Sequence, residues 1–545
     1  MSMNSWKEVD RFGDLPAEAA RRWGEREGLI FKDRRYTFAE MSEQVDLAAR
    51  AAMAAGVKKG DHVALWLQNS DDFVFIAFGL MKAGAVLVPI NTRFRTNDLD
   101  YVLGQSDSAF LVTHNTSGPI GYLDMVREVV KLPDSGDEVS DPKFPLLRKV
   151  LIVDDAEHAG TQSWRGAKRA AADVSAEALA ERADSISPTD IALIKYTSGT
   201  TGFPKGAMHT HNIIGNVAAR GFRMGITIND KIMSYLPLFH AFGFSEGLLM
   251  SVLTGACQIV TETFDPGEVL DLVEREGGTL VHGFEAHALA LTNEQEARPR
   301  NISTLRTGII AAGQLSAVPV HRRASKILAP LRSLSGHGMT EIWLGSGASS
   351  LDDSEELRYE ASGYPALDYE LRIQNLDTGE LCGVGQEGEL QVRGRYLMLG
   401  YYKKPKETAE SYTDDGWFKT GDTCVWRADG AFRFLGRHKD MLKVGGENVD
   451  PMEVEGLLLD LPGVHQVAVV GCPDERLSEV AVAYVERLPG AEVTEEDVIG
   501  SCRGKVASFK IPRHVVFVDA FPMTASGKIR KVELRADAKE RFASE

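Results

Sequence analysis

A loop dense in glycine and hydroxyl residues is the segment of this chain best suited to chemistry. It reads YTSGTTGFPKGAMHTH over residues 196–211 and offers backbone N–H groups, hydroxyl donors and one lysine. A polyphosphate needs such groups, and close approach of the backbone to it requires glycine. The loop therefore predicts a phosphate site made by Thr197, Ser198, Gly199, Thr200, Thr201, Gly202 and Lys205.

Two common nucleotide-binding loops do not fit this segment. A Walker A loop places Ser or Thr after its lysine, whereas Lys205 is followed by Gly206. The later segment GHGMTE lacks the last glycine of a dinucleotide fingerprint. A plain surface turn would not need hydroxyl and glycine residues at this density around a fixed lysine, so a phosphate-binding role is favoured.

The loop is one of several segments that together resemble a known family. In order and at roughly the family's spacing, they resemble the adenylate-forming superfamily of acyl-CoA synthetases, amino-acid adenylation domains and luciferases, and most of all a bacterial acyl-CoA synthetase. Besides the loop, these segments are KAGAVLVPINTRF (82–94), YLPLFHAFGF (235–244), GHGMTEI (336–342), GELQVRG (388–394), YTDDGWFKTGD (412–422), GRHKDMLKVGGENVDPMEVE (436–455) and PMTASGKIRK (522–531).

The resemblance implies two half-reactions in one site. A carboxylate attacks the α-phosphorus of ATP to give an acyl-adenylate and pyrophosphate, and a thiol then displaces AMP. Charge develops on a phosphoryl group in the first step, so positioned cations matter more than acids or bases. Lys528 matches the family's catalytic lysine. Thr200 and Glu341 match the positions that hold Mg²⁺, which prefers hydroxyl and carboxylate oxygens.

Further nucleotide and CoA contacts are implied residue by residue. Asp422 resembles the family's ribose ligand, and Arg437 resembles a second ribose or phosphate contact. His337 stands where the family usually has a tyrosine that stacks on adenine; an imidazole could stack, or it could simply fill space beside the loop. The remaining implied contacts are Gly338, Met339, Thr340, Lys443, Gly445 and Gly446.

The second half-reaction assigns roles to a histidine and a hinge. His240 matches an aromatic position between the carboxylate site and the thiol channel, although a packed core histidine is the alternative. Lys439 aligns with the family's hinge, about which the small domain turns between two conformations. No carrier domain with a phosphopantetheine site is apparent, so free CoA is the favoured acceptor. Loading of a carrier protein and an inactive homologue serving as a binding protein stay as alternatives.

The acid pocket should be lined by apolar or small residues, which favours a hydrophobic acid, fatty or aromatic. Glu285 favours a helix N-terminus. The sharper hypothesis is that His282, Glu285 or His287 contacts a polar group on the acid's tail. The expected lining is Phe239, Phe242, Phe244, His282, Glu285, Ala312, Gly313, Gly336 and Trp343.

Composition sets limits on partners. The 545 residues carry 61 Lys+Arg against 78 Asp+Glu, a net charge of −17, which argues against nucleic-acid binding. Five scattered cysteines without metal spacing, and no signal peptide or apolar run of about 20 residues, predict a cytoplasmic protein without a membrane span.

The expected ligands are a small carboxylic acid, ATP, Mg²⁺ and CoA. The resemblance leaves a homodimer open, and it suggests acetylation of Lys528 by a lysine acetyltransferase.

The elements needed to position these residues are those of an α/β protein. Apolar runs at 62–67, 85–90, 149–154, 192–197 and 279–283 predict strands that alternate with amphipathic helices. A helix-like segment is predicted from about His209. The resemblance and the pattern of residue types along the chain together predict three parts. They are a large multi-lobed N-terminal domain with mixed sheets and a β-rich subdomain (1–436), a hinge (437–440), and a small mobile α/β domain (441–545).

Overall fold

Two compact units make up the structure, a computed structural model. One unit comprises residues 1–281, 338–345 and 394–411; the other comprises residues 282–337, 346–393 and 412–545. The structure describes residues 9–197, 204–311, 318–437, 440–444, 447–449, 451–474, 477–503, 506, 508–524 and 528–542. The predicted boundary at 437–440 stays a prediction, and Lys439 lies outside the described residues.

The first unit contains an eight-stranded mixed sheet. In spatial order its strands are Gly400–Tyr401, Lys205–Thr210, Ile191–Thr197, Val86–Pro89, His62–Trp66, Phe110–Thr113, Lys149–Ile152 and Gln162–Ser163. The strands from Ile191 onward run parallel, and the first two pair antiparallel. Both faces are buried, which explains the continuous apolar runs in the sequence.

A second group of strands in this unit is also mainly parallel. Its order is Leu280–Val281, Lys231–Ser234, Cys257–Val260, Glu27–Phe31 and Arg34–Thr37, with only the last pair antiparallel. A small hairpin joins Thr116–Ser117 to Ile120–Gly121. The helices are Leu15–Trp23, Phe38–Ala54, Asp71–Lys82, Thr96–Ser106, Tyr122–Val129, Trp164–Ala170, Ala176–Asp184, Ile214–Arg223, Ala241–Gly243, Met250–Thr254, Pro266–Glu276 and Pro405–Glu410, and a π-helical stretch, Phe244–Leu249, lies between Gly243 and Met250.

The second unit begins with three short parallel strands, Gly283–Phe284, Thr307–Ala311 and Arg332–Leu334. An antiparallel set follows, formed by Gly336–His337, Gly347–Ala348 and Tyr364–Pro365. The predicted β-rich part of the chain contains a four-stranded sheet of Tyr369–Gln374, Glu387–Gly394, Phe418–Trp426 and Phe432–Arg437. The helices in this part are Glu285–Ala297, Val318–Ile327 and Glu355–Glu360.

The C-terminal part of the second unit is a small α/β arrangement, as the sequence predicts. Its sheet contains Glu447–Val449, Leu442–Val444, Ser478–Arg487, Val464–Asp474 and His514–Val518, with helices Pro451–Leu459, Glu495–Cys502 and Lys531–Phe542. Alternate residues of Val464–Asp474 enter different cores: Val467 and Val469 pack on one face, and Ala468 and Val470 on the other. This period of two buries both faces.

The predicted helix from His209 is wrong. His209 lies in the strand Lys205–Thr210, and the chain turns into the helix Ile214–Arg223 only after a short 3₁₀ turn. Antiparallel pairing with Ile191–Thr197 holds the segment extended, and that pairing depends on tertiary context rather than on local residue preference. Within the described ranges, every helix is too short or too polar to cross a bilayer.

Candidate active site

The predicted phosphate loop connects two neighbouring strands of the eight-stranded sheet, the second and third from one edge. Thr197 ends one strand and pairs with Lys205, which begins the next. The Thr197 hydroxyl donates to the Lys205 carbonyl at 3.4 Å. The predicted contacts between them, Ser198, Gly199, Thr200, Thr201 and Gly202, lie outside the described residues. The structure thus describes the loop's two anchors.

Lys205 and Glu341 are linked through one aromatic ring. The Lys205 ammonium lies 4.4 Å from the centre of the Tyr401 ring. The Tyr401 hydroxyl donates to Glu341 Oε1 at 2.9 Å, and the Glu341 side chain is buried. Tyr401 therefore contacts the lysine of the phosphate loop with its ring and holds the Glu341 carboxylate with its hydroxyl. Sequence reasoning missed Tyr401, since nothing in its local spacing marks it.

The turn that carries Glu341 depends on the glycine before it. Residues Thr340–Ile342 form a 3₁₀ turn, and Met339 precedes it in extended conformation. A Cβ added at Gly338 would lie 1.0 Å from the Leu344 carbonyl oxygen, so only glycine fits there. One turn of the first unit therefore holds four predicted contacts side by side: Gly338, Met339, Thr340 and Glu341.

Glu341 is chemically suited to Mg²⁺, because a hard cation prefers carboxylate oxygens and completes its shell with water and phosphate. Thr200, the other residue implied for the metal, lies outside the described residues. In the described part of the chain, no group of three or more His, Cys, Asp or Glu side chains could hold a metal ion by itself.

In the second unit, Asp422 is the centre of a buried charged network. Its carboxylate is only 3% exposed and accepts from His337 Nε2 at 2.8 Å. Arg437 Nε lies 2.7 Å from the other carboxylate oxygen. Burial alone would raise the pKa of Asp422, but the charge of Arg437, the hydrogen bond from His337 and the charge of Lys528 outweigh it and lower that pKa. Asp422 is therefore held as an anion.

His337 is fixed by hydrogen bonds from both ring nitrogens. Its Nε2 donates to Asp422, and its Nδ1 pairs with the Ser346 hydroxyl at 2.6 Å. Phe432 lies edge-on to the ring at 5.8 Å, and Phe434 lies tilted at 5.4 Å. Its described partners make His337 a positioning group for Asp422. Stacking of His337 on adenine remains a prediction.

Lys528 joins the same network. Its ammonium lies 4.6 Å from the centre of the Phe284 ring. The side chain is exposed as a whole, yet desolvation of the ammonium end lowers the pKa of Lys528; nearby Arg437 lowers it further, and Asp422 opposes both. The second unit thus brings together Lys528, Arg437, Asp422 and His337, which the sequence had named separately.

Glu285 begins the helix Glu285–Ala297, as the sequence predicts, but the helix end does not set its ionisation. Burial, followed by the like charge of Glu455, raises the pKa of Glu285 to about 7, while Lys531 opposes the shift. His287 Nδ1 accepts from the Phe284 N–H at 3.2 Å. Burial lowers the pKa of His287 to about 4, so that ring is neutral at pH 7.

The residues predicted for the acid pocket fall into both units. Phe239, Phe242, Phe244 and Trp343 are buried in the first unit, and His240 accepts from the Phe242 N–H at 3.2 Å. In the second unit, the buried His282 accepts from the Ile309 N–H at 3.2 Å, and Gly336 lies in a short strand. Ala312 and Gly313 of the predicted lining lie outside the described residues, as do Gly445, Gly446 and the side chain of Lys443, which are predicted as nucleotide and CoA contacts.

Comparison with known proteins decides the family. The model for the AMP-binding enzyme family matches residues 16–402, and the model for the AMP-binding enzyme C-terminal domain matches residues 453–528. This chain belongs to the AMP-binding enzyme family. Because the first match covers most of the chain, the resemblance drawn from the sequence is confirmed, as are the AMP-forming CoA ligase class and the need for ATP, Mg²⁺ and CoA.

The relatives match over nearly full length. "Putative acyl-CoA synthetase YngI" of Bacillus subtilis (strain 168) is 35% identical over 539 residues, covering 97% of each chain. "3-[(3aS,4S,7aS)-7a-methyl-1,5-dioxo-octahydro-1H-inden-4-yl]propanoyl:CoA ligase" of Rhodococcus jostii (strain RHA1) is 35% identical over 532 residues, covering 96% of this chain and 97% of its own. Among solved structures, the anthranilate CoA ligase AuaEII in complex with anthranoyl-AMP has a TM-score of 0.85 at 25% identity, with full coverage of both chains. The expected α/β fold is thus confirmed.

Sequence reasoning missed one more residue near His240. Lys195 lies in the strand Ile191–Thr197 and is almost fully buried, with its ammonium donating to the Phe239 carbonyl at 2.8 Å. A lysine inside the apolar run ALIKYT is the signal that could have found it, because a charged residue in a strand buried on both faces is uncommon. Its position beside the His240 turn links the phosphate-loop strand to the predicted carboxylate site.

Proposed function

We propose that this enzyme adenylates a hydrophobic carboxylic acid, fatty or ring-bearing, and then transfers the acyl group to free CoA. The first step releases pyrophosphate and the second releases AMP. The observation that carries the residue assignment is the Lys528, Arg437, Asp422 and His337 network of the second unit. Two cations there converge on one buried carboxylate, at the positions that the family uses for the nucleotide.

In this proposal Asp422 accepts hydrogen bonds from the ribose hydroxyls, and His337 and Arg437 keep it anionic and oriented. Lys528 stabilises negative charge that develops on the α-phosphoryl group. Its lowered pKa reflects an ammonium taken partly out of water, where its attraction for a phosphoryl oxygen is stronger than in bulk solvent. When bound, Mg²⁺ neutralises phosphate charge. Glu341 would hold that cation together with Thr200, and Tyr401 orients the Glu341 carboxylate.

The acid class rests on the apolar lining and on the relatives. Phe239, Phe242, Phe244 and Trp343 provide a buried aromatic surface in the first unit. The names of two relatives identify a bicyclic dioxo propanoate and an aromatic acid, anthranilate, as their acids. These names support a ring-bearing or fatty acid for this chain. His240 would orient the acid's carboxylate, and Gly445 and Gly446 would line the path of the pantetheine arm.

A panel of fatty and ring-bearing acids tests the proposal through acid-dependent and CoA-dependent AMP formation. Lys528→Ala should abolish acid-dependent pyrophosphate release and should spare thioester formation from a supplied acyl-adenylate. Lys539→Ala, which removes an exposed lysine from the last helix, is the matched control and should retain both steps. Equal loss of both half-reactions in Lys528→Ala would contradict the role given to Lys528. Transfer to a carrier protein in preference to CoA would contradict the acceptor.

Four further parts of the proposal concern organisation and regulation. We place a hinge at 437–440 about which residues 441–545 turn, and we expect a homodimer, a cytoplasmic location and acetylation of Lys528. All five cysteines are free, which suits a reducing compartment. Light scattering tests the dimer, and cell fractionation tests the location. Comparison of the AMP-bound and CoA-bound enzyme by small-angle scattering tests the hinge.

A further inference from the structure

Polar side chains are buried together in the first unit, beneath the turn that carries His240. Lys195 and His209 lie on the same face of two antiparallel strands, because Leu193 pairs with His209 and Lys195 pairs with Ala207. Lys195 is 2% exposed. Its Nζ lies 4.2 Å from the centre of the Phe244 ring and donates to the Phe239 carbonyl, and both Phe244 and Phe239 belong to the predicted acid pocket.

The hydrogen-bonding capacity of Lys195 is mostly unused. Among the residues that the structure describes, the Phe239 carbonyl is the one acceptor that its Nζ reaches. A lysine amine carries two or three N–H donors, so at least one donor has no described acceptor. Leaving a buried donor without a partner is destabilising, and an apolar residue at this position would avoid that cost.

Two fully buried neighbours share this condition. The His209 and Trp343 rings lie 5.1 Å apart at 65°, and Trp343 also lies edge-on to Phe244 at 6.2 Å. Within the described part of the chain, Trp343 Nε1 has no hydrogen-bond partner. His209 lies near the Thr340 backbone, but neither ring nitrogen reaches hydrogen-bond geometry. Lys195, His209 and Trp343, here called the Lys195 cluster, therefore present an excess of unsatisfied donors.

The electrostatics of the Lys195 cluster favour a neutral ligand. Burial lowers the pKa of Lys195 well below its usual value, and burial lowers the pKa of His209 to about 3. Both shifts favour uncharged side chains. Neutral side chains offset little of the desolvation cost of a buried anion. A ketone or hydroxyl oxygen can accept from the unused donors without bringing a charge into the core. A second carboxylate on the ligand fits less well.

We propose that the Lys195 cluster is a polar subsite of the acid pocket that hydrogen-bonds a neutral oxygen, a ketone or hydroxyl, on the tail of the carboxylic acid. The cluster contacts Phe239 and Phe244 on either side of His240, so it lies beside the segment assigned to the acid. This inference rests on the proposed function and narrows it to acids that are largely apolar but carry an oxygen along the tail. Such an acid would replace the missing acceptors of Lys195 and Trp343.

A series of acids with one ketone at successive positions tests the subsite. Decanoate and its mono-oxo derivatives at carbons 5 to 9 are compared by kcat/KM for CoA-dependent AMP formation. The wild type should prefer one or two oxo positions over decanoate by about 10-fold to 100-fold, because a site built to donate hydrogen bonds discriminates against a ligand without the acceptor. A flat profile in the wild type overturns the proposal and indicates that the donors are met by water or not at all.

Variants separate the subsite from a general effect on the fold. Lys195→Met keeps the length of the side chain. In this variant, kcat/KM for the favoured oxo acid should come to within about 3-fold of kcat/KM for decanoate. Trp343→Phe, which removes only the indole N–H and part of the ring, should lower the same ratio. Lys231→Met replaces a strand lysine paired with Glu27 and should keep the wild-type ratio. An unchanged ratio in both Lys195→Met and Trp343→Phe overturns the proposal.

Failure of the proposed function has a different signature. In that case no acid of the series, decanoate included, supports AMP formation by the wild type. Isothermal titration of the oxo acids into the full chain then decides the subsite. Tighter binding of one oxo acid than of decanoate, lost in Lys195→Met, supports the Lys195 cluster, and equal binding of all acids overturns it.

Discussion

Replacing Glu285 with glutamine removes a carboxyl group whose surroundings oppose its ionisation. Burial and the nearby Glu455 raise the pKa of Glu285 to about 7, and Lys531 offsets only part of that effect. In the unfolded chain the same group has the ordinary pKa near 4.5. The folded state is therefore favoured by Glu285 at low pH. This contribution is complete below about pH 4.5 and is lost as the pH rises through about 7.

The size of the effect follows from the difference between the two pKa values. A difference of about 2.5 units corresponds to an upper bound of about 3 kcal/mol once the pH exceeds both values. Most of this loss in the free energy of unfolding develops between pH 5 and pH 8.5. Since Glu285 keeps partial exposure, solvent screening reduces the expected loss to about 1–2 kcal/mol. For a unit of this size, that is about 3–6 °C in the unfolding temperature.

The measurement is the unfolding temperature of the second unit as a function of pH, for the wild type and Glu285→Gln. We expect the two proteins to differ little at pH 5, where Glu285 is protonated in the folded state. At pH 8.5 the glutamine variant should unfold about 3–6 °C higher. Glu296→Gln, on an exposed part of the same helix, is the matched control and should follow the wild type at both pH values.

A parallel pH dependence in the wild type and Glu285→Gln would refute this reasoning. It would mean that Glu285 ionises in the folded state as readily as in the unfolded chain. A variant less stable at pH 8.5 than the wild type would refute it as well, because the Glu285 anion would then have to make a favourable interaction, for instance with Lys531.

Four other changes have defined outcomes. Asp422→Asn should raise the KM for ATP about 10-fold or more, because it removes a charged acceptor from His337 and Arg437; an unchanged KM would remove Asp422 from the nucleotide site. Tyr401→Phe should lower kcat/KM for ATP about 10-fold and increase the Mg²⁺ requirement, since Glu341 loses its donor; equal kinetics would contradict this. Gly338→Ala should destabilise the first unit by about 1–3 kcal/mol in urea titrations, while Gly104→Ala, in a helix of the same unit where an added Cβ meets only an ordinary contact at 3.8 Å, should not destabilise it. Treatment with an acetyltransferase should modify Lys528 and remove adenylation in parallel with the modified fraction seen by mass spectrometry; full activity of the modified enzyme would contradict the role of its charge.

Local patterns in the sequence predict much of the fold. The apolar runs place the strands Ile191–Thr197 and His62–Trp66 to within about a residue, because strands buried on both faces consist of continuous apolar residues. The segment from His209 fails for the opposite reason. Its residues suit a helix start, and only pairing with a neighbouring strand keeps it extended.

The sequence predicts which residues belong to the candidate site, but it does not predict which side chains surround each of them. The family motifs name Asp422, His337 and Arg437, and the structure joins them in one network. The helix start at Glu285 follows from local sequence, whereas its raised pKa depends on Glu455, which is remote in the chain. Long-range packing of this kind leaves no local signal, and it is also why Tyr401 and the Lys195 cluster were missed.

The eight-stranded sheet of the first unit ends in very short strands. On one side it ends with Gly400–Tyr401 and on the other with Gln162–Ser163, each only two residues long among the strands that the structure describes. A free sheet edge can recruit a strand from another molecule, and short edge strands offer too few N–H and C=O groups for stable recruitment. The residues that anchor the phosphate loop therefore lie next to an edge that resists intermolecular β-pairing, so the same Tyr401 that orients Glu341 also helps to keep separate molecules from joining at their sheets.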